Sequence, residues 1–241
     1  MSAITTIVLL TTLAGLCIPL GALLASIKHI KPLWLEQELR HFVIALGGGI
    51  LLGAVAVVLV PEGIKQMEHS LLAIVLFMLG GLCFFIIERF LGLNRHSSPQ
   101  LMGMLLDYIP EAMALGGLIA LGSPAAPLLA VLIGIQNLPE GFNAYRELKQ
   151  LNHKPPKLNL LIMLLLVPLG PIAALISFSL FADQPYVLGG IMLFASGGIL
   201  YLIFQDIAPQ SRLENHWAPP LGAVLGFSIA LFSEMLFKQT F

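Results

Sequence analysis

Two pairs of side chains in the middle of the chain have the types and the spacing to hold a cation. Asp107 and Glu111 stand four residues apart in Asp107-Tyr108-Ile109-Pro110-Glu111, and Gln136 and Glu140 do the same in Gln136-Asn137-Leu138-Pro139-Glu140. On a helix, positions i and i+4 share one face, so each pair turns two oxygen-bearing groups the same way. Both pairs fall about halfway along apolar stretches. A carboxylate at that depth of a bilayer is costly and is tolerated where it faces the bundle interior, a water-filled path or a bound ion. An ion between the two helices would supply that compensation. The prolines add to the donor set: Pro110 has no N–H for the carbonyl of Leu106, and Pro139 has none for that of Ile135. Freed backbone oxygens of this kind coordinate cations in the broken helices of transporters. The plainer reading of the same residues is a pair of proline-kinked packing helices whose acids are protonated and hydrogen-bonded to neighbours.

The elements that must position these groups are transmembrane helices. Of 241 residues, 58% are hydrophobic and 10% charged, and a mean hydropathy of +0.93 is far above that of a water-soluble domain. About 20 apolar residues cross the hydrocarbon core, and on that measure the spans run near 4–27, 41–61, 71–91, 101–122, 126–146, 158–181, 186–207 and 218–237. The expected fold is all-α: eight transmembrane helices in a single bundle domain over residues 1–241. The N-terminal stretch has no basic leader and no small-residue cleavage pattern, so it reads as the first span and not as a removed signal peptide. Cys17 and Cys83 lie inside apolar segments and act as small hydrophobes. A net charge of −1 excludes the basic face that nucleic-acid binding needs.

Short polar connections, such as Leu93-Asn94-Arg95-His96-Ser97-Ser98-Pro99 and Asn152-His153-Lys154-Pro155-Pro156, make neighbouring spans antiparallel. Of the 12 basic residues, only Lys65 and Lys238 fall on one side of this layout. Lys28, Lys31, Arg40, Arg89, Arg95, Arg146, Lys149, Lys154, Lys157 and Arg212 fall on the other, which is therefore cytoplasmic, with both termini facing away from it. The chain also repeats itself. Gly48-Gly49-Ile50-Leu51 leads to Pro61-Glu62 in span two, and Gly197-Gly198-Ile199-Leu200 leads to Pro209-Gln210 in span seven. The Pro-Glu motifs of spans four and five match each other. The members of each pair run in opposite directions, which predicts inverted repeats, spans one to three against six to eight and span four against five, as in secondary transporters whose substrate site lies at the repeat interface.

These Pro-Glu motifs, the eight-span layout and the outward termini resemble the ZIP (Zrt-, Irt-like protein) family of divalent-metal transporters, over essentially the entire chain. The family's His-Asn-x-Pro-Glu-Gly motif of span four reads here Asp107-Tyr108-Ile109-Pro110-Glu111-Ala112, and the span-five motif reads Gln136-Asn137-Leu138-Pro139-Glu140-Gly141. The resemblance implies one metal site from Asp107, Glu111, Gln136 and Glu140, with Asn137 a further candidate. It also implies an integral protein of a plasma or inner membrane, a homodimer, an alternating-access mechanism, and a zinc, iron or manganese ion as cargo. No resident cofactor and no catalytic residue is implied. A neighbouring second metal site of the family would use the positions of Tyr108, Asn137 and Val167 before Pro168-Leu169-Gly170. Tyrosine and valine stand there, and that site is dismantled.

An all-oxygen donor set suits Mn²⁺, Fe²⁺ or Mg²⁺ better than an imidazole or thiolate set does, although Zn²⁺ also accepts carboxylates. None of His29, His41, His69, His96, His153 and His216 falls mid-span. Glu88 and Glu234 read as interfacial acids. Glu62 and Asp206 could line an entrance or an exit, or simply pair with bases, and Met102, Met104 and Met163 read as packing or lipid-facing residues. Two other classes stay open: an intramembrane hydrolase, for which Gly-x-Ser-x-Gly and His-Glu-x-x-His are missing, and a non-transporting sensor or scaffold of the same fold.

Overall fold

In the computed structural model, residues 2–27, 33–93, 99–152, 155–214 and 216–240 are described. Lys28, His29, Lys31, Arg95, His96, His153 and Lys154 lie outside them, as do the side chains of 33–36, 91–93, 99, 152, 239 and 240. Among the described residues the chain forms eight long helical segments and no strand. These are α1 (Ala3–Ser26); α2, which runs from Leu33 to Gln66; α3 (Leu72–Leu93); α4 (Pro99–Ala120); α5 (Ala126–Asn152); α6 (Pro156–Phe181); α7 (Pro185–Ser211); and α8 (Leu221–Thr240).

Seven of the eight are long and apolar enough to cross a membrane, and together they make this a polytopic α-helical membrane protein. Large apolar side chains such as Ile74, Met78 and Phe90 on α3 and Phe232 and Met235 on α8 stand exposed on the outer surface, where lipid is the solvent. The exception by composition is α5. Its 27 residues reach about 40 Å at 1.5 Å per residue, yet Gln136, Asn137, Glu140 and Asn143 interrupt its apolar run. Those polar groups are turned inward, because α5 is packed between α1, α2 and α4.

The helices pair as α1 with α5, α2 with α8, α3 with α7, and α4 with α6. Close approach of backbones, the usual substitute for a hydrophobic driving force within lipid, makes these pairs tight. At Gly141 on α5, a Cβ would meet the backbone carbonyl of Ile18 on α1, so only glycine fits. The inner helices α2 and α7 share a distortion. Each changes to a wider π-helical turn, Val55–Leu59 in α2 and Ile203–Ile207 in α7, two residues ahead of Pro61 and Pro209. A proline that cannot donate to the preceding turn is one cause of such a bulge. By contrast, α6 breaks at Val167-Pro168 into halves Pro156–Leu166 and Leu169–Phe181.

Candidate functional site

The five residues expected at the site converge in the bundle interior. On α4, Asp107 is 3% exposed and Glu111 fully buried; on α5, Gln136 and Asn137 are fully buried. Glu140 keeps a partly exposed stem, but both of its carboxylate oxygens are buried. The expected helices run unbroken through Pro110 and Pro139. One short bond joins the two motifs: Gln136 Nε2 donates to Glu111 Oε2 at 2.6 Å. Using its amide N–H in this way leaves Gln136 with its oxygen free. Asn137 donates from Nδ2 to the carbonyl of Ala14 at 3.0 Å, which anchors α5 to α1 and likewise leaves an oxygen free.

The site is rich in oxygen and poor in donors. Asp107 Oδ1, Glu111 Oε1, Gln136 Oε1, Asn137 Oδ1, Glu140 Oε1 and Glu140 Oε2 are all buried with no hydrogen-bond partner. Each such group costs about 1–3 kcal/mol if nothing compensates it, and more if charged. The three acids also feel one another electrostatically, Asp107 the charges of Glu140 and Glu111, and Glu140 that of Glu111. Three ion pairs lie elsewhere: Lys65 with Glu62, His216 with Glu38, and Lys238 with Glu234. A cluster with this many unpartnered acceptors is chemically fitted to a cation, to water or to protons. Among the described residues, however, no three His, Cys, Asp or Glu side chains close to metal-ligand distance, so the acids form an open group.

Beside this group, Tyr108 and Val167, two positions expected of a second metal site, meet each other. Tyr108 is 1% exposed, and its hydroxyl donates to the Val167 carbonyl at 3.3 Å, at the break in α6. The hydroxyl occupies a niche that exists because residues 15 and 170 are glycine; a Cβ at Gly170 would collide with it. Tyr108 therefore adds a second donor to a carbonyl that the Gly170 N–H also bonds, at 3.3 Å, across the helix break.

The other polar residues sort as follows. Glu62 makes a 3.8 Å ion pair with Lys65 through Oε1, while its Oε2 is buried without a partner. Glu234 pairs with Lys238 at 2.7 Å near the end of α8. His41 bonds the Gln37 carbonyl through Nδ1 at 2.7 Å. Cys17 and Cys83 are free thiols. Sequence reasoning passed over Asn143, Asn159 and Ser177, all buried with unpartnered polar atoms. For Asn143 a signal was present: Gln136, Glu140, Asn143 and Glu147 recur at spacings of four, three and four, which is one helix face.

No protein-family model matches the chain, and no curated protein matches it either.

Proposed function

We propose that the protein is a transporter of divalent metal cations of the ZIP type, which holds its cargo between α4 and α5 and works by alternating access. The observation that carries this reading is the set of six buried, partnerless oxygens contributed by Asp107, Glu111, Gln136, Asn137 and Glu140. A divalent ion would satisfy several of them at once and relieve the repulsion among the carboxylates. The donor set is oxygen alone, which favours Mn²⁺ and Fe²⁺ relative to the imidazole-bearing sites that favour Zn²⁺.

On this reading α5 is a true span, the eighth, whose polar face looks inward. The pairing of helices supports an inverted repeat: exchanging α1 with α6, α2 with α7, α3 with α8 and α4 with α5 turns each observed pair into another observed pair. The π-turns at matching distances ahead of Pro61 and Pro209 fall under the same exchange. Eight spans place both termini on one face, and the basic residues make the opposite face cytoplasmic. The α2 and α7 pair would then be the scaffold against which the α4 and α5 pair moves.

Purified protein is expected to melt at higher temperature with Mn²⁺, Fe²⁺ or Zn²⁺, because an ion that binds only the folded state raises stability. Proteoliposomes are expected to take the ion up into a metal-sensitive dye. Binding without uptake would turn the reading to a sensor, and neither binding nor uptake of any of these ions would end it.

A further inference from the structure

Helices α4 and α5 face each other in a constant antiparallel register. Glu111 is bonded to Gln136, Asp107 and Glu140 stand one turn on from that pair along the two helices, and at the far end the Gln100 backbone N–H donates to Glu147 Oε2 at 2.9 Å. Each step toward the N-terminus of α4 is matched by an equal step toward the C-terminus of α5. Between the second and the last of these rungs, the register sets Met104 opposite Asn143. Both are buried, at 2% exposure each. Met104 offers a thioether, which is no hydrogen-bond donor, and Asn143 Oδ1 has no partner.

The last rung is a clasp. The Glu147 carboxylate caps the first turn of α4, where unpaired N–H groups attract an anion. The side-chain amide of Gln100 donates to Gln210 Oε1 on α7. Three helices of the bundle, α4, α5 and α7, are thereby tied together at the end that carries Arg146 and Lys149, one turn beyond Asn143.

We propose that Asn143 is a further oxygen station on the ion's path, one turn from Glu140, and that the clasp of Gln100 onto Glu147 and Gln210 closes the path beyond it. The proposal rests on the transport reading. An asparagine oxygen is a neutral ligand of the same hardness as the site's carboxylates, so it can accept an ion in transit without trapping it. A buried amide oxygen facing a methionine serves no packing purpose that leucine would not serve better.

Two measurements test it. In proteoliposomes supplied with Mn²⁺ or Zn²⁺, Asn143→Ala is expected to slow uptake about tenfold, the effect of one lost contact to a charged group. Asn143→Asp, whose charge would hold the ion at the station, is also expected to slow uptake, and Mn²⁺ should still raise the melting temperature of Asn143→Ala because the central site is intact. In a Cys17→Ala/Cys83→Ala background, Asn143→Cys is expected to react slowly with an impermeant thiol reagent added from the Arg146 side. Adding Gln100→Ala and Glu147→Ala should speed that reaction severalfold. Parental uptake by Asn143→Ala overturns the station, and labelling unchanged by release of the clasp overturns the gate. Failure of the parent protein to move either ion would instead overturn the transport reading, and the labelling arm would still report on the clasp.

Discussion

Glu111 and Gln136 divide their capacities in a way that decides what the site can bind. The amide N–H of Gln136 is spent on one oxygen of Glu111, so the Gln136 carbonyl oxygen, the second Glu111 oxygen and both Glu140 oxygens remain as acceptors. Glu111→Gln and Glu140→Gln keep size and helical propensity while removing charge. Each is expected to abolish metal-dependent thermal stabilisation and uptake and to leave a folded, monodisperse protein, as size-exclusion chromatography would report. Metal affinity is also expected to fall as pH is lowered, because carboxylates bind the ion only when deprotonated; metal titrations at pH 5.5 and 7.5 compare the two. Tyr108→Phe removes one hydrogen bond to Val167 and should cost about 1 kcal/mol with little effect on metal binding, measured by unfolding in mixed detergent. Strong metal binding lost with the hydroxyl would show that Tyr108 belongs to the site.

At the scale of elements, α5 is the helix on which everything depends. It carries three of the five site residues, is fastened to α1 by the Asn137 bond to Ala14, and approaches the α1 backbone at Gly141. Gly141→Val places methyl groups against the Ile18 carbonyl and is expected to destabilise the bundle by about 1–3 kcal/mol, the cost of overpacking. Because the shift is transmitted to Gln136 and Glu140, uptake should fall with it; an unaltered melting temperature would count against the tight α1 and α5 contact. The polar residues that α5 turns inward are also what hide it from a hydropathy measure. Its span boundary at residue 126 was nonetheless legible, because the Gly122-Ser123-Pro124 turn ends α4. The π-turns in α2 and α7 could not be read from Pro61 and Pro209 alone, since a proline allows a kink, a bulge or a break. In α6 the same residue type produced a break.

At the scale of the whole molecule, the proposed eight spans would make the two termini share a face. Tags at both ends are expected to be cleaved by protease from the same side of sealed vesicles, the side opposite the Arg146-Lys149 end of α5; cleavage from opposite sides would remove α5 from the list of spans. The sequence by itself determined that this chain is a bundle of membrane helices, because apolar runs of about 20 residues with polar turns between them have no other stable arrangement in lipid. It also marked Asp107, Glu111, Gln136, Asn137 and Glu140 as inward-facing, since charge at mid-bilayer depth has nowhere else to go. Only the tertiary structure decided which oxygens stay free, that Tyr108 fills the niche between Gly15 and Gly170, and that Gln100, Glu147 and Gln210 meet at one end. Those outcomes depend on which helices become neighbours and in what register. Residues 100, 147 and 210 are distant in the chain, and only side-chain packing across three helices brings them together.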